Sequence, residues 1–230
     1  MTFNRGKSCR HFNYSINGKQ LERVFRMRDL GVILNSSLSY NDHILNVSSR
    51  ANALIGFIVR STRDFRSPIT MVNLYKTLVR PVLEYGSVIW SPYQIGHNEM
   101  LNRVQVRFVR LLGIRLGYTF LGTPVAEVEN MFGLQSLSLR KKFLDVVFLN
   151  KIVSGVLDCP VILSYIDISI PIGTRSKTIF QRKSMLSYYA YNSSVQRLLR
   201  CGSDVAPLIE FFMRPTGFRN DLFQIIYKKS

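Results

Sequence analysis

Arg103, Arg107 and Arg110, spaced i, i+4, i+7, are the residues of this chain best arranged for chemistry, and that chemistry is phosphate binding. On a helix this spacing aligns three guanidinium groups in a narrow arc, a stripe that can follow successive phosphates without reading bases. The plainer reading is the solvated face of an amphipathic helix, although such faces usually mix both charge signs and Arg115 follows here. Arg60, Arg63 and Arg66, with only Asp64 among them, form a second cationic group. A different chemistry is suggested by "YKTLVRPVLEYGSVIWSPY", where Glu84 stands near Pro81 and the single tryptophan, Trp90. A catalytic carboxylate is one reading. An exposed or ion-paired glutamate on a kinked helix, one turn from Arg80, is the simpler one and is expected.

Two-metal phosphoryl transfer needs clustered carboxylates, because two cations about 4 Å apart must be bridged. The 14 acidic residues are almost all isolated in sequence, and Glu127 and Glu129, at i,i+2 on a helix, face apart. His11, His43 and His97 have no metal-ligand spacing; Cys9, Cys159 and Cys201 include no CxxC. No glycine-rich phosphate loop and no nucleophile elbow occurs. The expectation is therefore no metal, no cofactor and no autonomous catalytic centre. Odd, dispersed cysteines suit a reducing compartment.

These groups must be held by elements whose period changes along the chain. Phe12, Tyr14 and Ile16 alternate before Asn17-Gly18, the strongest short signal for a hairpin with a type I′ turn, and "DLGVIL" predicts a further strand. Ser39 and Asp42 have capping-box spacing, and Ile44, Val47, Ala51, Leu54, Ile55 and Ile58 then recur with helical period. Ser67-Pro68 opens a second helix, with Met71, Tyr75, Leu78, Val82 and Ile89 on one face at 100° per residue and Trp90 near it. Pro81 is expected to kink it, and Ser91-Pro92 to end it. A third helix, from about 98 to 112, sets Leu101, Val104, Phe108, Leu111 and Leu112 against the arginine stripe. Thr123-Pro124 opens a short fourth helix stopped near Gly133, and a fifth carries Phe143, Val147 and Val153 inward. Beyond Asp158 the signals weaken: an extended "VILSYIDISIP", then short helices over 195–200 and 205–212. The fold class expected is mainly α with a small N-terminal β element confined to 1–34, an α+β chain.

Of 230 residues, 31 are Lys or Arg, and the formal net charge of +17 is spread along the chain rather than held in a tail. Such an excess opposes compaction unless a polyanion or a solvated surface absorbs it. The N-terminus has no apolar signal core, and the most apolar stretch, which includes Asp167, is too short to span a bilayer. A soluble, intracellular protein without a membrane partner is expected.

The string "LVRPVLEYGSVIWSP", with "DLGVILNSSLSYNDHI" and "FIVRSTRDFRSPITMVNLY" before it, resembles the reverse transcriptases of Jockey-type non-LTR retrotransposons, in the region following the catalytic palm. "GLQSLSLRKKFLDVVFLNKIVSG", "PIGTRSKTIF" and "YNSSVQRLL" are similar more loosely. The resemblance implies a palm-end β remnant over 1–38, a helical thumb-like region over 39–117 and a C-terminal connection over 118–230. It also implies non-specific contact with an RNA/DNA primer–template duplex, for which the cationic groups read above from spacing, Arg103, Arg107, Arg110, Arg60, Arg63 and Arg66, are the candidates. The missing fingers and palm become natural partners. No position here matches the family's catalytic aspartates, so this chain alone is expected to be inactive as an RNA-directed DNA polymerase. The alternative is a decayed retroelement remnant, a basic structural or interaction domain without selected activity.

Overall fold

The computed structural model describes residues 1–3, 12–65, 67–169, 179–181, 184–185 and 187–228. It is mainly helical with small antiparallel strand pairs, an α+β fold. Its contacts divide it into two compact units that cut across the 39–117 stretch. One comprises Met1–Leu83 with Gln94–Val104, the other Glu84–Tyr93 with Gln105–Ser230.

In the first unit, β1 (Ser15–Ile16) and β2 (Lys19–Gln20) form the expected hairpin, and Asn17 and Gly18 both take positive φ, 49° and 76°. The strand predicted over "DLGVIL" is instead a second hairpin. Leu30 and Gly31 occupy the left-handed turn between β3 (Arg26–Asp29) and β4 (Val32–Asn35), with Asp29 opposite Val32. Val32 and Ile33 are buried, and β4 contacts α1 (Asn41–Ser61), whose Ile44, Val47, Ala51, Ile55 and Ile58 are the predicted inward face. The Ile33 amide donates to Nδ1 of buried His43 at 3.3 Å, and burial, then Arg28 and Arg50, lower the imidazole's pKa. The capping box does not form. Tyr40 is the N-cap, while the Ser39 hydroxyl accepts from the Asn41 amide.

Helix α2 (Pro68–Leu74) starts as expected, with Ser67 extended and Pro68 in the first turn. Its continuation differs from a simple kink. Tyr75–Val79 form a π turn, in which the Arg80 amide reaches the Tyr75 carbonyl, before α3 (Arg80–Glu84). The wider turn relieves the clash between the Pro81 ring and the backbone one turn earlier. It also advances the buried positions by one residue. Val79 and Leu83 are fully buried where Leu78 and Val82 were expected, while farther on Trp90, expected near that face, is fully buried and Ile89 is half exposed. Gly86, at φ 63°, breaks the helix before α4 (Ser87–Trp90), and Ser91-Pro92 then ends α4.

The second unit is built around α7 (Leu137–Val153), capped by the Ser136 hydroxyl. It contacts α4, α8 (Pro160–Leu163), α10 (Ser194–Val205) and α11 (Pro215–Lys228). Contacts on several sides explain why Phe143, Val146, Leu149 and Ile152 are buried although they do not fall in one narrow stripe. Val147 and Val153, expected inside, are half-buried. Phe180, Phe211 and Phe218 complete the core edge-to-face, with centroids 4.8 and 5.0 Å apart, and Asn150 donates to the Phe211 carbonyl at 2.7 Å. At Gly202 of α10 a Cβ would lie 2.5 Å from the Leu149 side chain, so a larger residue there must displace Leu149 from its place on α7. Two further corrections arise here. The strand pair β5 (Asp167–Ile168) and β6 (Phe180–Gln181) means that β structure is not confined to 1–34. The helix placed at 205–212 is absent, and α11 lies beyond it. The short α6 (Val125–Met131) ends at Gly133 as predicted, while α9 (Tyr188–Tyr191) is a single turn.

Candidate nucleic-acid interface

Helix α5 runs without interruption from Ile95 to Arg115 and carries Arg103, Arg107 and Arg110. Leu101, Val104, Phe108 and Leu112 are buried, as expected, and Val109 joins them. Arg103 and Arg107 are exposed, whereas Arg110 is half-buried with its guanidinium 5.6 Å from the centre of the Phe120 ring. Arg103 pairs with Glu99 one turn earlier at 3.3 Å. An acid therefore does offset part of the stripe, and it was visible in sequence at i−4. Both partners are well exposed, and such a pair exchanges readily with water. Arg60 and Arg63 are exposed at the end of α1 and in the turn that follows, on a different element; Arg66 lies outside the described residues.

Glu84 is structural in its surroundings, yet it is not solvated. Its two carboxylate oxygens accept from Nε and Nη2 of Arg140, the latter at 2.8 Å, and the side chains are only 13% and 19% exposed. Both donors come from Arg140 of α7, fifty-six residues away in sequence. Beside this pair, the Lys141 ammonium sits 5.1 Å from the centre of the buried Trp90 ring, and Trp90 Nε1 donates to the Tyr85 carbonyl at 2.7 Å. One turn on, Asp145 accepts from Arg197 Nε at 2.9 Å. The same guanidinium donates to the Ser87 and Val88 carbonyls of α4 and to that of Ser91, which follows it. Burial, outweighing Arg197, raises the Asp145 pKa. Burial, then Asp145, pushes the Cys201 thiol up to about 11, so it is a poor nucleophile.

Both carboxylates are thus occupied by guanidinium groups, an arrangement that fastens helices together. Sequence reading missed this network. The available signal was Arg140, Lys141 and Asp145 within a helix apolar on every side, where not all charges can reach water. Glu84→Gln should accordingly cost about 1.5–3 kcal/mol, because it weakens a charge-assisted fork. A urea midpoint giving under about 0.5 kcal/mol would mean that solvent screens the pair as it does at an open surface.

No protein-family model matches the chain, and no curated protein or solved structure matches it. Among the described residues no helix is long and apolar enough to cross a membrane. No group of three His, Cys, Asp or Glu among them could hold a metal ion.

Proposed function

We propose that this chain is the post-palm region of a Jockey-type non-LTR retrotransposon reverse transcriptase, and that it grips the backbone of an RNA/DNA primer–template duplex without reading sequence. The resemblance of "LVRPVLEYGSVIWSP" supports the lineage. The observation that carries the binding role is the exposure of Arg103 and Arg107, one turn apart on α5, in a chain of net charge +17. Catalysis belongs, in this reading, to palm and fingers segments that act as its partners. A second reading is favoured by Arg110 resting on Phe120 and by the Arg103–Glu99 pair. It makes this an ordinary basic surface on a retroelement remnant with no selected activity.

Salt dependence separates the two. Replacing Arg103 and Arg107 with Gln leaves the buried face of α5 intact. It should flatten the log–log salt plot of duplex binding by roughly two units, with little dependence on base sequence. Adding Arg110→Gln should contribute less, because that guanidinium is already engaged. A folded double variant with unchanged affinity and slope would leave the remnant reading standing.

A further inference from the structure

We propose that the outer edge of β3 accepts an added antiparallel strand from another protein, and that this strand reads acidic–apolar–acidic opposite Arg26, Met27 and Arg28. The register of the β3–β4 hairpin determines which backbone groups are open. The Phe25 carbonyl accepts from the Ser36 amide, so Phe25, Met27 and Asp29 turn their backbone polar groups toward β4. Arg26 and Arg28 hold the alternate positions. The Ile33 amide, opposite Arg28, turns away from β3 to His43, which fixes the same alternation. The N–H and C=O groups of Arg26 and Arg28 therefore point outward, and among the described residues nothing bonds them.

Side chains select the strand that fits. All four residues of β3 are exposed. Alternation sets both guanidinium groups on one face, with Phe25 and Met27, 66% and 41% exposed, on the other. Neither guanidinium has a hydrogen bond or ion pair among the described residues. In an antiparallel addition, residues opposite Arg26 and Arg28 come beside those guanidinium groups, so carboxylates suit them. The residue between lies against Met27, so an apolar side chain suits it. Main-chain bonds hold such a strand, and its alternate side chains give specificity.

This chain does not supply the strand itself. Two β3 edges paired about Met27 would set Arg26 against Arg28, so the arginines guard the edge against a second copy. Of the 14 acidic residues only Glu127 and Glu129 stand two apart, and they lie on helix α6. A nucleic-acid strand could meet the arginines, but it leaves the open backbone edge and the apolar side chains unmatched.

The test titrates the full chain with a fluorescent peptide of about eight residues alternating Glu and Val, a usual strand length. Its control is the same peptide N-methylated at every glutamate amide, which keeps the charge and removes the main-chain bonds. The parent peptide should bind, and the methylated one at least about 10-fold more weakly. Arg26→Glu with Arg28→Glu should weaken Glu–Val binding by about 10-fold or more and confer binding of a Lys–Val peptide, a gain that an unfolded variant could not show. No binding by wild type, equal binding of the methylated peptide, or tighter binding of oligothymidine through the same arginines would overturn the proposal. It rests on no part of the duplex reading, and the Arg103/Arg107 experiment reads a different site, so either result can fail without the other.

Discussion

Arg197→Met is expected to lower stability by about 3–5 kcal/mol, the usual penalty for leaving a buried charge without its partner. Asp145 is only 3% exposed, and its carboxylate accepts from Arg197. The substitution also removes the donor that serves the Ser87, Val88 and Ser91 carbonyls. Urea unfolding at neutral pH should show a lower midpoint with an unchanged slope. The deficit has a definite pH dependence. Burial already holds the folded pKa of Asp145 above the ordinary 3.8, and losing Arg197 raises it further. The cost is therefore complete above the folded pKa and shrinks as pH falls through it, when the buried acid becomes neutral. Adding Asp145→Leu should recover most of the loss by removing the stranded charge. A single-variant deficit under about 1 kcal/mol would mean that water reaches Asp145 freely.

Lys141→Met is expected to act in the opposite sense, with an effect that changes with pH. Burial first, and Arg197 second, lower the Lys141 pKa to about 8 against Asp145 and Glu84, which raise it. Below about 8 the folded protein holds a buried ammonium at full cost. Between there and the ordinary 10.5 the unfolded chain binds a proton that the folded chain does not, so wild-type stability rises with pH. The rise relative to the variant should approach 3 kcal/mol, to order of magnitude. At neutral pH the variant should be as stable as wild type or more so, since Met keeps the apolar stem. Loss of the contact with Trp90, about 0.5–2 kcal/mol, offsets part of that gain. Parallel wild-type and variant stability curves from pH 7 to about 10 would refute a depressed lysine.

The parts of the fold legible in sequence are those where one local rule acts alone. Asn17-Gly18 tolerates two positive φ angles, Ser67-Pro68 starts a helix, and the apolar run from Ile44 to Ile58 has a single period and a single buried face. Leu30-Gly31 escaped because leucine seldom accepts a φ of 44°, and only the pairing of β3 with β4 holds it there. Helix α11 carried its signal, Pro215 at the start and Phe218, Leu222 and Ile226 at four-residue steps, diluted by Gly217, Asn220 and Asp221. Arg103 and Arg107 are exposed on α5, but Arg110 is half-buried against Phe120, which lies outside that helix and which spacing within it does not show. The Glu84, Lys141 and Asp145 network depends on what surrounds α7, and spacing within one segment carries no such information.

The π turn over Tyr75–Val79 has a consequence for descent as well as for packing. A turn that holds one residue more than its neighbours is a place where chain length can change without disturbing which side chains face inward. Losing one residue there would close the turn to α geometry and still leave Met71 and Leu83 in phase, but the Pro81 ring would then meet the backbone behind it. Residue count and proline are therefore coupled. Kindred chains with the proline should keep the extra residue, and those one residue shorter should have another amino acid in its place.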